Sequence, residues 1–328
     1  LATKLRATAN SIHALTQIKQ DKANLNINGF YFNAHVLVGC KQICFYALEP
    51  NLQKSTFYSL FGINMVWKLD EYWHRARQTR KNFARLKPMS DYRPYPAPSE
   101  TPVMFQRWHD LLFMHWPVPV EVLRSQIPPE LMIDSFEGHA WLAVVPFRMS
   151  NIYPRGLFPV PWLSAFAELN VRTYVVKDGK PGVWFFSLDA ANPVAVSIAR
   201  NWFKLPYFNA QMQCLGQGKT IAYSSQRTHK NAPGCEFIAD YCPMTDAQIP
   251  QPGTLEYFLT ARYSLYTADK AGNIYRGEID HEPWPLQLAE ADVKVNTMTA
   301  PIDVKLVGEP LLHFSKVIAV KVWGLERL

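Results

Sequence analysis

Proline, rather than glycine, sets the grain of this chain: 25 prolines against 15 glycines over 328 residues. Each proline removes a backbone donor and restricts the residue before it, so frequent prolines favour short elements joined by rigid turns. Nearly half of the residues are apolar and 13% are aromatic, enough to fill a core made of many short pieces. The length allows one large domain or two average ones.

Residues 89–328 read as strand-rich with two or three helices. Gly138 to Met149 is a strongly apolar strand. Glu168 to Val176 alternates, Lys177-Asp178-Gly179-Lys180 is a turn, and Val183 to Leu188 returns. Asn192-Pro193 supplies an N-cap and a first-turn proline for a helix through Phe203. Tyr207 to Leu215, Thr220 to Thr228 and Glu236 to Tyr241 follow as strands. Thr254 caps a helix reaching Arg262, and a hairpin joins Ser264–Thr267 to Asn273–Asp280. Strands near Asp292–Thr297 and Lys316–Trp323 finish the chain, and Pro119 to Ser125 is a short helix. Antiparallel strands with segregated helices predict an α+β fold with a curved or partly closed sheet.

The net charge of +7 is unevenly placed. Residues 1–88 carry 13 Lys/Arg and 4 Asp/Glu, a net +9, whereas residues 89–328 carry 21 and 23, a net −2. A basic footprint for nucleic acid is therefore absent from the main domain. The character of the sequence changes at Met89, where a proline-spaced run opens dense aromatic and aliphatic patterning. We expect residues 89–328 to be one domain starting naturally at Met89, with residues 1–88 a non-native or disordered basic extension. The alternative is a genuine small N-terminal extension. The most apolar early stretch, Gly29 to Leu48, holds His35, Lys41 and Gln42 and is a weak membrane span. No signal-peptide order of charge, apolar run and cleavage site precedes it.

Five cysteines, at 40, 44, 214, 235 and 242, show no C-x-x-C pair, which fits free thiols in a cytoplasmic-type compartment. Cys40-x-x-x-Cys44 lacks a second pair of zinc ligands. His109 and His115 fit packed histidines better than a metal pair. There is no G-x-G-x-x-G, no phosphate loop and no G-x-S-x-G elbow. No cofactor is expected. The aromatic stretch from Trp108 to Trp116 could form a cavity lid or a contact between two copies, so homo-oligomerisation stays open.

One strand carries chemistry. In Glu168-Leu-Asn-Val-Arg-Thr-Tyr-Val175 the side chains of Glu168, Asn170, Arg172 and Tyr174 share one face. If that face is solvated, the strand is ordinary. If it looks into an enclosed hollow, a carboxylate, an amide and a guanidinium converge on a ligand, because buried charges need partners. Arg200, near the end of the following helix, could pair with a ligand carboxylate or simply meet the helix dipole. Asp189 could help cap the helix start, and Arg276, Glu278 and Asp280 share a face that suits either cross-strand ion pairs or a site wall.

The run from Trp108-His-Asp110, through Phe166-Ala-Glu-Leu-Asn-Val-Arg-Thr-Tyr174 and Arg200-Asn-Trp-Phe-Lys-Leu-Pro-Tyr207, to Tyr275-Arg-Gly-Glu278 and His281-Glu-Pro-Trp-Pro285 resembles the YqjF-like family of unknown function. The resemblance covers nearly all of residues 89–328 and none of residues 1–88. It implies a cone-shaped β-barrel distantly similar to that of acetoacetate decarboxylase, with Glu168 where a cavity glutamate occurs in that enzyme. Tyr207 stands where the enzyme has its catalytic lysine. A phenol cannot form an imine, so Schiff-base decarboxylation is not expected. What remains is a small-molecule ligand held by Asn170, Arg172 and Arg200, with Glu168 as general base and Tyr207 as acid or donor. A cofactor-independent lyase, hydratase or isomerase fits that equipment, as does a protein that binds or senses the ligand without turnover.

Overall fold

A computed structural model describes residues 92–157, 159–160 and 163–328, with the backbone of three short strands in the leading segment. Those strands, β1 (Lys22–Ile27), β2 (Phe30–His35) and β3 (Phe45–Ala47), form an antiparallel meander within the segment read as a non-native or disordered extension. The chain divides into two compact units between Trp67 and Lys68. Cys40 and Cys44 and the expected boundary at Met89 lie outside the described residues.

The second unit is a sheet of twelve strands with three short helices among the described residues. In order they are β4 (Met104–Val118), α1 (Val120–Arg124), β5 (Met132–Ile133), β6 (Ala140–Pro154), β7 (Phe166–Lys177), β8 (Lys180–Ala190) and α2 (Pro193–Trp202). Then come β9 (Tyr207–Gln217), β10 (Thr220–Arg227), β11 (Glu236–Pro243), α3 (Leu255–Thr260) and β12 (Ser264–Ala268). Strands β13 (Ile274–Asp280), β14 (Gln287–Asn296) and β15 (Leu311–Arg327) complete the unit.

Local chemistry explains most of these boundaries. The β7–β8 hairpin turns on Asp178 and Gly179, at φ 52° and 71°, and such a pair of positive angles matches the right-handed twist of flanking strands. Helix α2 starts where Asn192 Oδ1 accepts from the backbone N–H of Val194 and Ala195, both at 3.1 Å, with Pro193 in the first turn. Asp189 plays no part in that cap. Thr254 caps α3 in the same manner, accepting from Tyr257 N at 3.2 Å.

The largest departure from expectation is β4. The stretch from Trp108 to Trp116, read as a lid or a contact between copies, is the middle of a 15-residue strand between β15 and β6. Leu111 to Met114 are all buried, since both faces of this strand are covered. A bulge at Asp110, with φ 53°, shifts the register against β6.

Strand β8 pairs with β7, β9 and β12, and β13 pairs with β15, so the sheet closes on itself along two circuits. The longer runs β4–β6–β7–β8–β9–β10–β11–β14–β15. It is filled by Leu112, Met114, Val144, Leu169, Val171, Phe237 and their neighbours. Two tyrosines span it: Tyr223 Oη donates to the carbonyl of Glu168 at 2.7 Å, and Tyr241 Oη to that of Asp110 at 2.7 Å. The shorter runs β4–β6–β7–β8–β12–β13–β15. Its inner face carries Leu111, Phe113, Ala143, Val145, Phe147, Ile318 and Val320, closed over by Trp284. This α+β sheet is the partly closed architecture that the sequence implied. No helix of the described residues is long and apolar enough to cross a membrane.

Candidate functional site

Strand parity decides what the polar side of β7 sees. In the β6–β7 ladder Glu168 lies opposite Phe147, Asn170 opposite Val145 and Arg172 opposite Ala143. On the other side, in the β7–β8 ladder, the same residues meet Ala190, Leu188 and Phe185. Those neighbours belong to the inner face of the shorter circuit. Glu168 and Asn170 are 3% and 4% exposed, Tyr174 is fully buried, and Arg172 is half-buried. The polar face therefore looks inward, and the aliphatic face of Leu169 and Val171 fills the longer circuit behind it. Both sides of β7 are interior.

Tyr207 joins this face because β9 runs parallel to β8 with Tyr207 beside Leu188. Its hydroxyl donates to Glu168 Oε2 at 2.7 Å, a contact buried from solvent. Burial pushes the Glu168 carboxyl from 4.5 up to about 8, partly opposed by the Tyr207 hydrogen bond and reinforced by Asp189. Desolvation penalises the charged form, so near neutrality Glu168 is mainly a neutral acid. The Tyr207 phenol is raised well above its ordinary value, by burial first and then by the neighbouring carboxylate.

Four polar atoms on this face have no hydrogen-bond partner among the described residues: Asn170 Oδ1, Arg172 Nε, His115 Nδ1 and Ser315 Oγ. The register brings all four to the same wall. His115 lies opposite Ala143, which in turn lies opposite Arg172. Ser315 lies opposite Leu111. The Arg172 guanidinium sits 5.5 Å from the centre of the Phe113 ring and 5.9 Å from that of Tyr174. No carboxylate among the described residues forms an ion pair with it. Buried polar atoms are nearly always satisfied, so four on one inner face set this wall apart from an ordinary core.

A conserved-protein family model, DUF2071, whose members are uncharacterized, matches residues 105–319. The chain belongs to that family. It is 43% identical over 226 residues, 69% of this chain and 92% of the relative, to the uncharacterized protein YqjF of Bacillus subtilis (strain 168). Among solved structures it is similar to the enduracididine biosynthesis enzyme MppR, with a TM-score of 0.50 at 10% identity over 74% of this chain and 98% of that one. An acetoacetate decarboxylase from Legionella pneumophila gives a TM-score of 0.49 at 10% identity over 72% and 92%. The DUF2071 chain thus shares its fold with MppR.

Arg200 does not join the site of this DUF2071 chain. It lies exposed on the last turn of α2, where its Nη1 donates to the carbonyl of Tyr207 at 2.5 Å and its guanidinium lies 5.6 Å from the centre of the Phe208 ring. A helix end has no period of two, so strand parity gave no guide to its direction. Lys204 is also elsewhere, with Nζ 5.1 Å from the centre of the Tyr275 ring. His109 and His115 are separate: His109 Nε2 bonds Ser150 Oγ at 2.7 Å and His115 Nε2 bonds Tyr174 Oη at 2.7 Å. Arg276, Glu278 and Asp280 form an ion-pair face, in which Arg93 reaches Glu278 at 3.0 Å and Asp280 at 3.3 Å.

Two features went unread in the sequence. Asp189 and Arg227 form a buried two-pronged pair, Nε to Oδ2 at 3.0 Å and Nη2 to Oδ1 at 2.7 Å, on the opposite side of β8 from Glu168. The signal was available: Arg227 shares parity with Ile221 and Tyr223, and an arginine in an apolar row implies a buried partner. His115 likewise follows Leu111 and Phe113 in a row that is otherwise apolar. A groove of about 390 Å³ lined by Arg148, Met149, Phe166, Ala167, Met212 and Cys214 lies nearby, but Glu168, Asn170, Arg172 and Tyr207 do not line it.

Proposed function

We propose that the inner face of the shorter circuit binds a small carboxylated or oxygenated molecule and exchanges protons with it, as a cofactor-independent lyase, hydratase or isomerase would. The carrying observation is the buried Glu168–Tyr207 pair on the same wall as the unsatisfied Asn170 and Arg172. Arg172, without an acidic partner, suits a ligand carboxylate, since a guanidinium donates in a planar fork. Asn170 Oδ1 suits a hydroxyl. Glu168 Oε2 accepts from Tyr207, so the proton of the neutral acid resides on Oε1, where it can be given to or taken from a bound carbon or oxygen. A carboxyl titrating at about 8 sits close to the pH at which general acid–base exchange is most effective.

Imine chemistry has no support in this arrangement. The position on β9 that faces Glu168 is a phenol, and the neighbouring Lys204 amine is directed at Tyr275. The test is deuterium exchange into C3–C6 oxo and hydroxy carboxylates incubated with the protein in heavy water. Glu168→Gln should stop the exchange and keep binding within a few-fold, whereas Arg172→Met should remove binding. Failure of the whole set of acids to bind the wild-type protein would remove the reading.

One observation favours a second reading, in which the ligand is bound without turnover. Glu168 and Tyr207 satisfy each other, as groups that shape a pocket would. Binding that survives Glu168→Gln, with no isotope exchange in either protein, is the outcome that selects it.

A further inference from the structure

The same wall, two strands along on β4, holds a second polar centre built around His115, whose chemistry follows from counting donors and acceptors. His115 is fully buried on β4. Its ordinary proton affinity is strongly reduced, first by burial and then by Arg172 and His313, so the ring is neutral and carries one N–H. Nε2 lies 2.7 Å from Tyr174 Oη, and Nδ1 has no partner.

Tyr174 bears on which nitrogen holds the proton. Two guanidiniums flank its ring. The Arg172 guanidinium lies 5.9 Å and that of Arg262 4.9 Å from the ring centre. A guanidinium can only donate. Among the described residues the hydrogen bond of the Tyr174 hydroxyl runs to His115 Nε2. If Tyr174 donates to Nε2, the imidazole proton must sit on Nδ1. The result is a buried, unpartnered N–H donor in the same cross-strand row as Ala143 and Arg172. Ala143 is small enough for the long arginine side chain to pass over it toward β4, where its guanidinium lies beside Phe113. Arg172 Nε–H is the second unpartnered donor of the row.

From this geometry we propose that His115 is a ligand-binding residue of the site, a neutral imidazole held with its proton on Nδ1, which together with Arg172 Nε–H receives the two oxygens of the ligand's carboxylate. This rests on the reading of the shorter circuit as a small-acid site and deepens it. Two unsatisfied donors without a nearby acid specify an acceptor-only group, and Asn170 Oδ1, two residues along β7, specifies a donor about 7 Å further on. The favoured ligand class is therefore a short hydroxy acid, with the carboxylate at His115 and Arg172 and the hydroxyl toward Asn170 and Glu168.

The test has two parts. Long-range nitrogen–proton correlation spectra of the labelled full chain, with the His115 signals assigned by their loss in His115→Gln, should show Nδ1 protonated and Nε2 as the bare acceptor. A proton on Nε2, or a charged ring at neutral pH, overturns the proposal without any ligand. Calorimetry with 3-hydroxybutyrate and with its neutral amide provides the second part. An asparagine amide can occupy the place of Nδ1, whereas a glutamine amide reaches the place of Nε2. His115→Asn should therefore bind the acid within about threefold of wild type, and His115→Gln should bind it tenfold or more weakly with little change toward the amide. If Arg172→Met loses the acid while His115→Gln keeps it, the His115 assignment falls and the site stands. If the wild-type protein binds neither 3-hydroxybutyrate nor the other C3–C6 acids, both fall together.

Discussion

Replacing Glu168 by glutamine should reverse part of the pH dependence of stability, and the size of the effect follows from the site. Burial carries this carboxyl from 4.5 to about 8, which is three to four decades in proton affinity. At 1.36 kcal/mol per decade that is on the order of 5 kcal/mol. The sign follows from the proton count. Between pH 4.5 and 8 the folded chain holds a proton at Glu168 that the unfolded chain has released. The stabilisation is complete below pH 4.5 and is lost as pH rises through 8. Buried histidines act oppositely. His281 and His109 are lowered from 6.5 to about 4, chiefly by burial, so their contribution is lost as pH falls through that window. In the wild-type protein the two trends oppose each other between pH 4.5 and 6.5. The difference between Glu168→Gln and wild type isolates the carboxyl, because the histidines are common to both. Urea denaturation at half-unit steps from pH 4 to 9 should show the variant gaining on wild type by about 1.4 kcal/mol per pH unit up to pH 8, then levelling. A difference that stays flat across this range would mean that water reaches Glu168 and that the hollow is not enclosed.

Four further outcomes are expected. Arg227→Met should destabilise the fold by roughly 3–5 kcal/mol by stranding the buried Asp189 carboxylate, and Asp189→Asn in the same chain should restore part of the loss in a denaturant titration. Gly182→Ala would place a Cβ 2.5 Å from the carbonyl oxygen of Ser264 and 2.8 Å from Tyr266 Cε2, so the parallel β8–β12 contact must part, at a cost of about 1–3 kcal/mol in thermal unfolding. Asn192→Ala removes the acceptor of two α2 N–H groups and should cost about 1 kcal/mol. Borohydride reduction in the presence of 2-oxobutyrate should leave no alkylated lysine in the 200–210 peptide by mass spectrometry, because Lys204 is directed at Tyr275. A modified Lys204 would reopen imine chemistry.

What could be read from the sequence depended on whether a segment is covered on one side or two. The β7–β8 hairpin was legible because Asp178-Gly179 specifies its turn and Glu168, Asn170 and Arg172 alternate with aliphatics. Helix α2 was legible from Asn192-Pro193. Strand β4 was not. Covered on both faces, its run from Leu111 to Met114 shows no alternation, and a positive φ at Asp110 shifts its phase. The closures of β8 on β7 and of β13 on β15 join distant segments and leave no local mark. Arg200 failed for another reason: the helix-end cation and the ligand-binding cation look alike in sequence, and only the exposed position on α2 separates them.

The two circuits of the sheet differ in how far their buried polar groups are matched. Both are lined by buried tyrosines, so polarity alone does not distinguish them. In the longer circuit the Tyr223 and Tyr241 hydroxyls each end on a backbone carbonyl of the opposite wall, and Arg227 is matched by Asp189. Ser225 Oγ is left over on this side. In the shorter circuit Asn170, Arg172, His115 and Ser315 each keep an unsatisfied atom while Glu168 is held as a neutral acid. A buried donor or acceptor left unmade costs about 1–3 kcal/mol, so four on one wall would be a large standing cost in a chain of marginal stability. Water or a bound acid relieves it in proportion to how well its own groups match two donors, one acceptor and one hydroxyl. If the proposed function holds, Ser315→Val together with Asn170→Leu should stabilise the fold and abolish binding, the opposite of what the same exchange would do to a satisfied core.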